Sequence, residues 1–196
     1  MKYNQNRKLG KTGPDICPIG FGAMSLTNFY GPCNDMQADK ILNKVLDLGI
    51  NHIDTSNVYG AGTSESRIGE FLAKQGKQKN NLFFIATKAA ICRDPETGVR
   101  SFNNTERHLE EELDKSLVRL GVDSIDLFYI HRRDPKIPIE DVTESLVKFI
   151  KKGKIKSIGF SEIAPTSLKR ASKIHHIAAV QSEYSLSTRS PEMGLV

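Results

Sequence analysis

Residues 103–131 read NNTERHLEEELDKSLVRLGVDSIDLFYIH, and this stretch decides the fold. Its first part has helical period: Leu109, Leu113, Leu117 and Leu120 share one stripe among charged neighbours, and Gly121 ends it. Asn103 with Glu106 three residues later has the pattern of an N-terminal cap, which predicts a helix over 103–120. The period then changes. Ile125 to Ile130 is an apolar run of strand length, rich in β-branched and aromatic residues, and it stops at a histidine, His131. Helix, glycine, short buried strand and a polar residue at the exit form one unit of an α/β fold.

The unit recurs in both directions. Upstream, Leu9-Gly10-Lys11-Thr12-Gly13-Pro14 predicts a hairpin tip, and Cys17 to Phe21 a first strand. A helix from Asp35 to Leu48 stops at Gly49, Asn51 to Asp54 is a strand, and Ser64 caps a helix from about Ser64 to Ala73. Leu82 to Thr87 is a continuous apolar strand of the kind buried on both faces, and Ala89 to Phe102 reads as an irregular loop. Downstream come a helix from Ile139 to Lys151 ending at Gly153, a strand Ile155 to Ile158, a helix Thr166 to Ser172 and a strand Ala178 to Val180. Strands alternating with helices predict parallel strands and right-handed crossovers, so the fold class is α/β: an open doubly wound sheet or a (β/α)8 TIM-barrel type. About six strand-helix units follow the hairpin, the last without its helix. A full barrel takes about 250 residues. A barrel here is therefore incomplete, about two units short, and cannot close alone.

The 196 residues suit a single domain spanning 1–196, and 38% hydrophobic with 26% charged residues excludes disordered, fibrous and membrane-spanning classes. Cys17, Cys33 and Cys92 are odd in number and widely spaced, which fits a reducing compartment. The start MKYNQNRKLGKTG has no apolar core after its charges, and no apolar run approaches the ~20 residues of a span, so the expected location is cytoplasmic with no membrane partner. The excess of 28 Lys+Arg over 23 Asp+Glu could suit a polyanion. Its densest cluster, Lys148, Lys151, Lys152, Lys154 and Lys156, instead surrounds a helix end and has no interleaved aromatic residues, so no nucleic-acid partner is expected.

The polar residues at the strand exits carry the functional signal. Asp54, Lys88, His131, Ser161 with Glu162, and Gln181 each follow an apolar strand, at the edge where parallel α/β folds bind ligands. Singly, Asp54 could be a turn residue, Lys88 a surface lysine and His131 a satisfied core histidine; in succession at one edge they make a shared site. Tyr59 lies five residues after Asp54, before Gly60-Ala61-Gly62 and Ser64-Glu65. A phenol titrates near pH 10 and donates poorly at neutral pH unless its phenolate is stabilised. An ammonium about 4 Å away supplies roughly 4 kcal/mol at an effective dielectric of 20. Lys88 is the candidate for that role, with Asp54 aiming it and His131 orienting or protonating a carbonyl oxygen. Competing motifs fail. Gly20-Phe21-Gly22 lacks the third glycine of a dinucleotide fingerprint, where Ser25 stands; Gly10-Lys11-Thr12 lacks a P-loop's first glycine, where Gln5 stands. No tyrosine has a lysine four residues on, and His175-His176 has no partners at metal-ligand spacing, so no metal is expected.

From Leu9 onward the chain resembles the aldo-keto reductase superfamily, its pyridoxal-reductase-like and bacterial branch. The motifs are Gly20-Phe21-Gly22-Ala23-Met24, Asp54-Thr55 with Tyr59-Gly60 and Ser64-Glu65, Ala86-Thr87-Lys88, Tyr129-Ile130-His131, Ile158-Gly159-Phe160-Ser161-Glu162, and Gln181-Ser182-Glu183-Tyr184-Ser185. The resemblance implies a (β/α)8 barrel that reduces an aldehyde or ketone with NADPH, Tyr59 being the general acid and Asp54, Lys88 and His131 completing the catalytic tetrad. It implies that the cofactor meets Gly22, Met24, Asp54, Ser161, Glu162 and Gln181, with Ser161 and Gln181 on the carboxamide. Glu162 stands where many members carry Asn. The seventh and eighth barrel units, which grip the cofactor's phosphates in the family, have no counterpart before Val196. The resemblance therefore implies a C-terminally truncated chain, either a weak reductase or a catalytically inactive remnant or binding subunit. Its unclosed barrel edge would invite self-association. The physiological substrate is a small carbonyl compound whose identity the motifs leave open.

Overall fold

The computed structural model describes residues 6–76, 81–94 and 96–196. Residues 1–5, the beginning of the stretch read for a leader and the position of Gln5, lie outside the described residues, as does Pro95 in the loop expected over 89–102.

The elements run β1 (Arg7–Lys8), β2 (Asp15–Ile16), β3 (Phe21–Gly22), α1 (Asp35–Asp47), β4 (His52–Asp54), α2 (Thr63–Ala73), β5 (Phe84–Ala89), β6 (Ile91–Arg93), β7 (Arg100–Phe102), α3 (Glu106–Leu120), β8 (Leu127–Ile130), α4 (Ile139–Lys151), β9 (Ile158–Ser161), α5 (Pro165–Ile174) and β10 (Ala179–Gln181). Six strands form one parallel sheet in the order β10-β9-β8-β5-β4-β3. The order never reverses, so there is no doubly wound switch point, and the sheet is an arc of a (β/α)8 barrel. β1 and β2 form the expected N-terminal hairpin, with Leu9 N–H donating to Pro14 O across its tip at 2.9 Å.

The period-2 pattern of each strand sorts its side chains. Ile53, Ile85, Phe128, Ile130, Ile158 and Phe160 join Leu42, Leu72, Leu113 and Phe149 of the helices in the main core. The other face is concave. Its register rungs link Asp54 to Ala86, Lys88 to Tyr129, Tyr129 to Gly159, Gly159 to Ala179 and Ser161 to Gln181. Ala86, Leu127 and Tyr129 form a small second core there, with Leu9 of the hairpin packed against it. Gly159 is required: a Cβ at that position would lie 2.5 Å from the Tyr129 ring.

Several boundaries differ from the sequence reading, for identifiable reasons. The first barrel strand is Phe21–Gly22 rather than Cys17 to Phe21, because Cys17 N–H is taken by Asn51 Oδ1 at 2.7 Å and Pro18 has no N–H to give. α2 starts from Gly62 in a left-handed conformation; Ser64 is no cap but fully buried, with Ala23 O and Thr55 Oγ1 each 2.8 Å from its hydroxyl oxygen. The α3 cap is Thr105, whose hydroxyl accepts from His108 N–H, while Asn103 Oδ1 accepts from Thr105 N–H one turn earlier. β5, β9 and β10 each extend further toward their C-termini than expected, so Lys88, Ser161 and Gln181 belong to strands instead of following them. Ile155 makes only an isolated bridge to Ile125. The loop expected over 89–102 contains a β-hairpin, β6 paired with β7. Four of the five lysines clustered at the end of α4 are paired with acids: Lys148 with Glu106, Lys152 with Glu110, Lys154 with Glu110 and Asp114, and Lys156 with Asp126. Among the described residues no helix is long and apolar enough to cross a membrane.

Candidate active site

The Lys88 side chain rises from the concave face of β5 and is 0% exposed. Its ammonium donates to Asp54 Oδ1 at 2.5 Å, to the Thr55 carbonyl at 2.8 Å and to the Tyr59 hydroxyl oxygen at 3.3 Å. An ammonium has three N–H groups, and all are used. Because the Tyr59 oxygen accepts from Lys88, its own O–H is left to point elsewhere. The ammonium also lies 5.0 Å from the Tyr59 ring centroid.

Local backbone geometry holds Tyr59 there. It opens a tight turn, Tyr59–Gly62, in which Gly60, Ala61 and Gly62 all have positive φ, at 59°, 51° and 95°. A Cβ on Gly60 would fall 2.9 Å from Thr27 Cγ2, so glycine is needed both for the conformation and for the approach. The turn feeds directly into α2, whose buried Glu65 accepts from Thr87 Oγ1 at 2.5 Å and pairs with Arg119 at 2.7 Å. Thr87 precedes Lys88 in β5, so the helix and the site share one strand.

Asp54 on β4 ties β5 to the far edge strand β10: Oδ1 accepts from Lys88, and Oδ2 accepts from Gln181 Nε2 at 2.9 Å. His131, one residue beyond β8, donates its N–H to Ala89 O at 2.8 Å, and its Nδ1 lies 3.0 Å from Ser56 Oγ. Its ring stands edge-on to Tyr59, centroids 5.9 Å apart at 83°. Burial pushes the His131 pKa down to about 3, helped by the charges of Lys88, Arg132 and Arg100, so the ring is neutral at physiological pH. Burial and the Asp54 charge raise the Tyr129 pKa, which suits a packing residue and not an acid.

Tyr59, Lys88, Asp54 and His131 are thus brought together. The remaining candidates separate. Gly22 ends β3 with open space where a Cβ would be, and Met24 sits in a 3-10 turn, Ala23–Leu26, on the rim of a cavity of about 1150 Å³ that also holds Tyr59 and His131. Gln181 lines a second cavity of about 520 Å³ with Gly22 and Asp54. Ser161 Oγ accepts from Arg132 Nη1 at 2.9 Å. The Glu162 carboxylate accepts from Glu183 N–H at 2.7 Å and its own N–H donates to Gln181 O at 2.8 Å, so it clips the exit of β10. Sequence reasoning missed Ser56 and Arg132. Arg132 was signalled by the pair of arginines directly after His131; Ser56 carried no signal, because its partner His131 lies 75 residues away.

Residues 18–196 match the model of the Aldo/keto reductase family. The chain is 40% identical over 190 residues to aldo-keto reductase yakc [NADP(+)] of Schizosaccharomyces pombe, covering 95% of this chain and 55% of that protein. It is 36% identical over 190 residues to probable aldo-keto reductase 1 of Glycine max, covering 96% and 54%. Among solved structures, aldo-keto reductase AKR11C1 from Bacillus halodurans in its holo form superposes with a TM-score of 0.84 at 29% identity, covering 96% of this chain and 60% of that one. Glycerol dehydrogenase AKR11B4 from Gluconobacter oxydans gives 0.82 at 30% identity, covering 98% and 59%. The chain spans about half the length of the relatives it matches.

Proposed function

The chain belongs to the aldo/keto reductase family, and from that premise we propose that it reduces an aldehyde or ketone to the alcohol with NADPH, Tyr59 giving the proton. One observation carries this reading: a wholly buried ammonium, saturated by Asp54, Thr55 and the Tyr59 oxygen. A cation hydrogen-bonded to a phenolic oxygen favours the phenolate, and it leaves the phenol's proton free for an incoming carbonyl oxygen. Asp54 aims the ammonium. The Ser56 hydroxyl lies within hydrogen-bond distance of Lys88 O at 3.2 Å and Asn57 Oδ1 at 3.3 Å as well as His131 Nδ1 at 3.0 Å, which fixes the ring's place beside Tyr59. In the tautomer that carries its single ring proton on Nε2, His131 orients the carbonyl.

The residues present fit a nicotinamide. Ser161 and Gln181 are register partners on adjacent strands, offering a hydroxyl and an amide for a carboxamide, and Gly22 shares a cavity with Gln181. Met24 borders the other cavity, the one that holds Tyr59, and Glu162 acts through its backbone and its hold on Glu183. When bound, NADPH supplies a hydride to the carbonyl carbon; the proton comes from Tyr59, and the resulting phenolate is stabilised by Lys88 until water reprotonates it. The test is NADPH consumption with an aromatic aldehyde, followed at 340 nm in wild type and in Tyr59→Phe. Loss of about 10²-fold or more in kcat in the variant is expected for a missing general acid. Unchanged turnover in Tyr59→Phe would remove the assignment, and no consumption with no quenching of NADPH fluorescence returns the chain to a non-catalytic role.

Two further parts belong to the same proposal. A reducing cytoplasmic location is supported by three free cysteines, Cys17, Cys33 and Cys92. Self-association is supported by the outer edges of β3 and β10, which have no strand partner among the described residues.

A further inference from the structure

The cavity that holds Tyr59 and His131 carries more positive charge than the site can neutralise. Six cations line it, Arg67, Arg93, Arg100, Lys115, Arg119 and Arg132, against one carboxylate, Glu112. Asp35 neutralises Arg67, Glu65 neutralises Arg119 and Glu112 neutralises Lys115. Arg132 donates only to neutral oxygens, those of Ser161 and the His131 carbonyl. Arg93 and Arg100 have no side-chain hydrogen bond or ion pair among the described residues.

The placement of these last two is unusual. They are direct partners across the β6–β7 hairpin. Like charges placed opposite one another destabilise a pair of strands, and a two-stranded ribbon has little else to hold it. The arrangement makes sense if an anion completes it. Two residues nearer the site on the same face, Ile91 and Phe102 are also partners and line the same cavity. The hairpin thus presents an apolar rung and then, about 7 Å further out, a cationic one. A molecule whose carbonyl lies at Tyr59, whose body rests on Ile91 and Phe102, and whose far end is negative would satisfy every rung. Ser161 and Gln181, the two residues assigned to the carboxamide, do not line this cavity.

We propose that the carbonyl substrate is anionic, with a carboxylate or phosphate separated from the carbonyl by an apolar spacer and held by Arg93 and Arg100, Arg132 adding charge beside His131. This rests on the carbonyl-reducing reading of the same site. The test compares 4-carboxybenzaldehyde with its uncharged methyl ester, both by NADPH oxidation and by direct binding to the chain without cofactor, using calorimetry or ligand-observed NMR. Wild type should favour the charged aldehyde roughly tenfold, as expected for charge-assisted contacts at a partly exposed rim. That preference should shrink as salt rises from about 0.02 to about 0.5 M. It should collapse toward unity in the double variant Arg93→Gln/Arg100→Gln, whose fold is checked by circular dichroism. Equal binding of the two aldehydes, binding of neither, or a preference that the double variant keeps would overturn the anion site. Charge-selective binding without NADPH oxidation would count against the reaction and leave the anion site standing.

Discussion

His131 shows how burial selects a protonation state. Its ring is 7% exposed and surrounded by the cations Lys88, Arg132 and Arg100, so charging it in the folded protein is costly. An unfolded histidine titrates near 6.5. Between that pH and about 3 the unfolded chain therefore binds a proton that the folded chain refuses, and stability falls as pH falls through this window. One such ring contributes a slope of up to about 1.4 kcal/mol per pH unit. Urea midpoints measured from pH 7 down to pH 5 should drop less steeply in His131→Phe than in wild type. His52, whose pKa burial also lowers, remains in the variant and keeps a residual slope. Equal slopes would show that His131 charges freely in the native state. The same lowering predicts no step near pH 6.5 in the activity profile from this residue.

At the scale of elements, the site is braced from behind by α2 and α3. Gly69 of α2 touches the α3 backbone so closely that a Cβ would sit 2.0 Å from Arg119 O. That approach lets Arg119 reach Glu65, which in turn holds Thr87 of β5. Gly69→Ala must part the helices, since the atom it meets is backbone and cannot rotate away. A loss of about 2–3 kcal/mol is expected by chemical denaturation, although alanine is the better helix former. Unchanged stability would mean that the helices are free to slide. Sequence periodicity identified α1, α3 and α4 closely, because their apolar stripes and terminal glycines are local signals. It placed β5, β9 and β10 too early, because Lys88, Ser161 and Gln181 look like strand ends when the partners that keep them in the ladder are unseen. The β6–β7 hairpin escaped notice because its polar residues hide the alternation.

At the scale of the molecule, six parallel strands curve without closing, and neither β3 nor β10 has a partner on its outer side among the described residues. Val180 on β10 is 36% exposed, and Tyr184 and Leu186 just beyond it are 57% and 100% exposed. Open parallel edges beside apolar surface favour pairing with another chain. Sedimentation velocity should show association growing with concentration, reduced by Val180→Lys; a monomer at every concentration would sink this expectation. The sequence by itself determined the alternation of strand and helix, the edge on which the polar residues gather and the identity of Tyr59, Lys88, Asp54 and His131 as candidates, since period, glycine stops and strand exits are encoded within a few residues. Only the tertiary structure decided the acceptors that Lys88 finds, the bond from Gln181 to Asp54 across 127 residues and the facing of Arg93 and Arg100 across the hairpin. Those depend on how strands far apart in the chain come into register, and register is settled by the packing of the whole sheet.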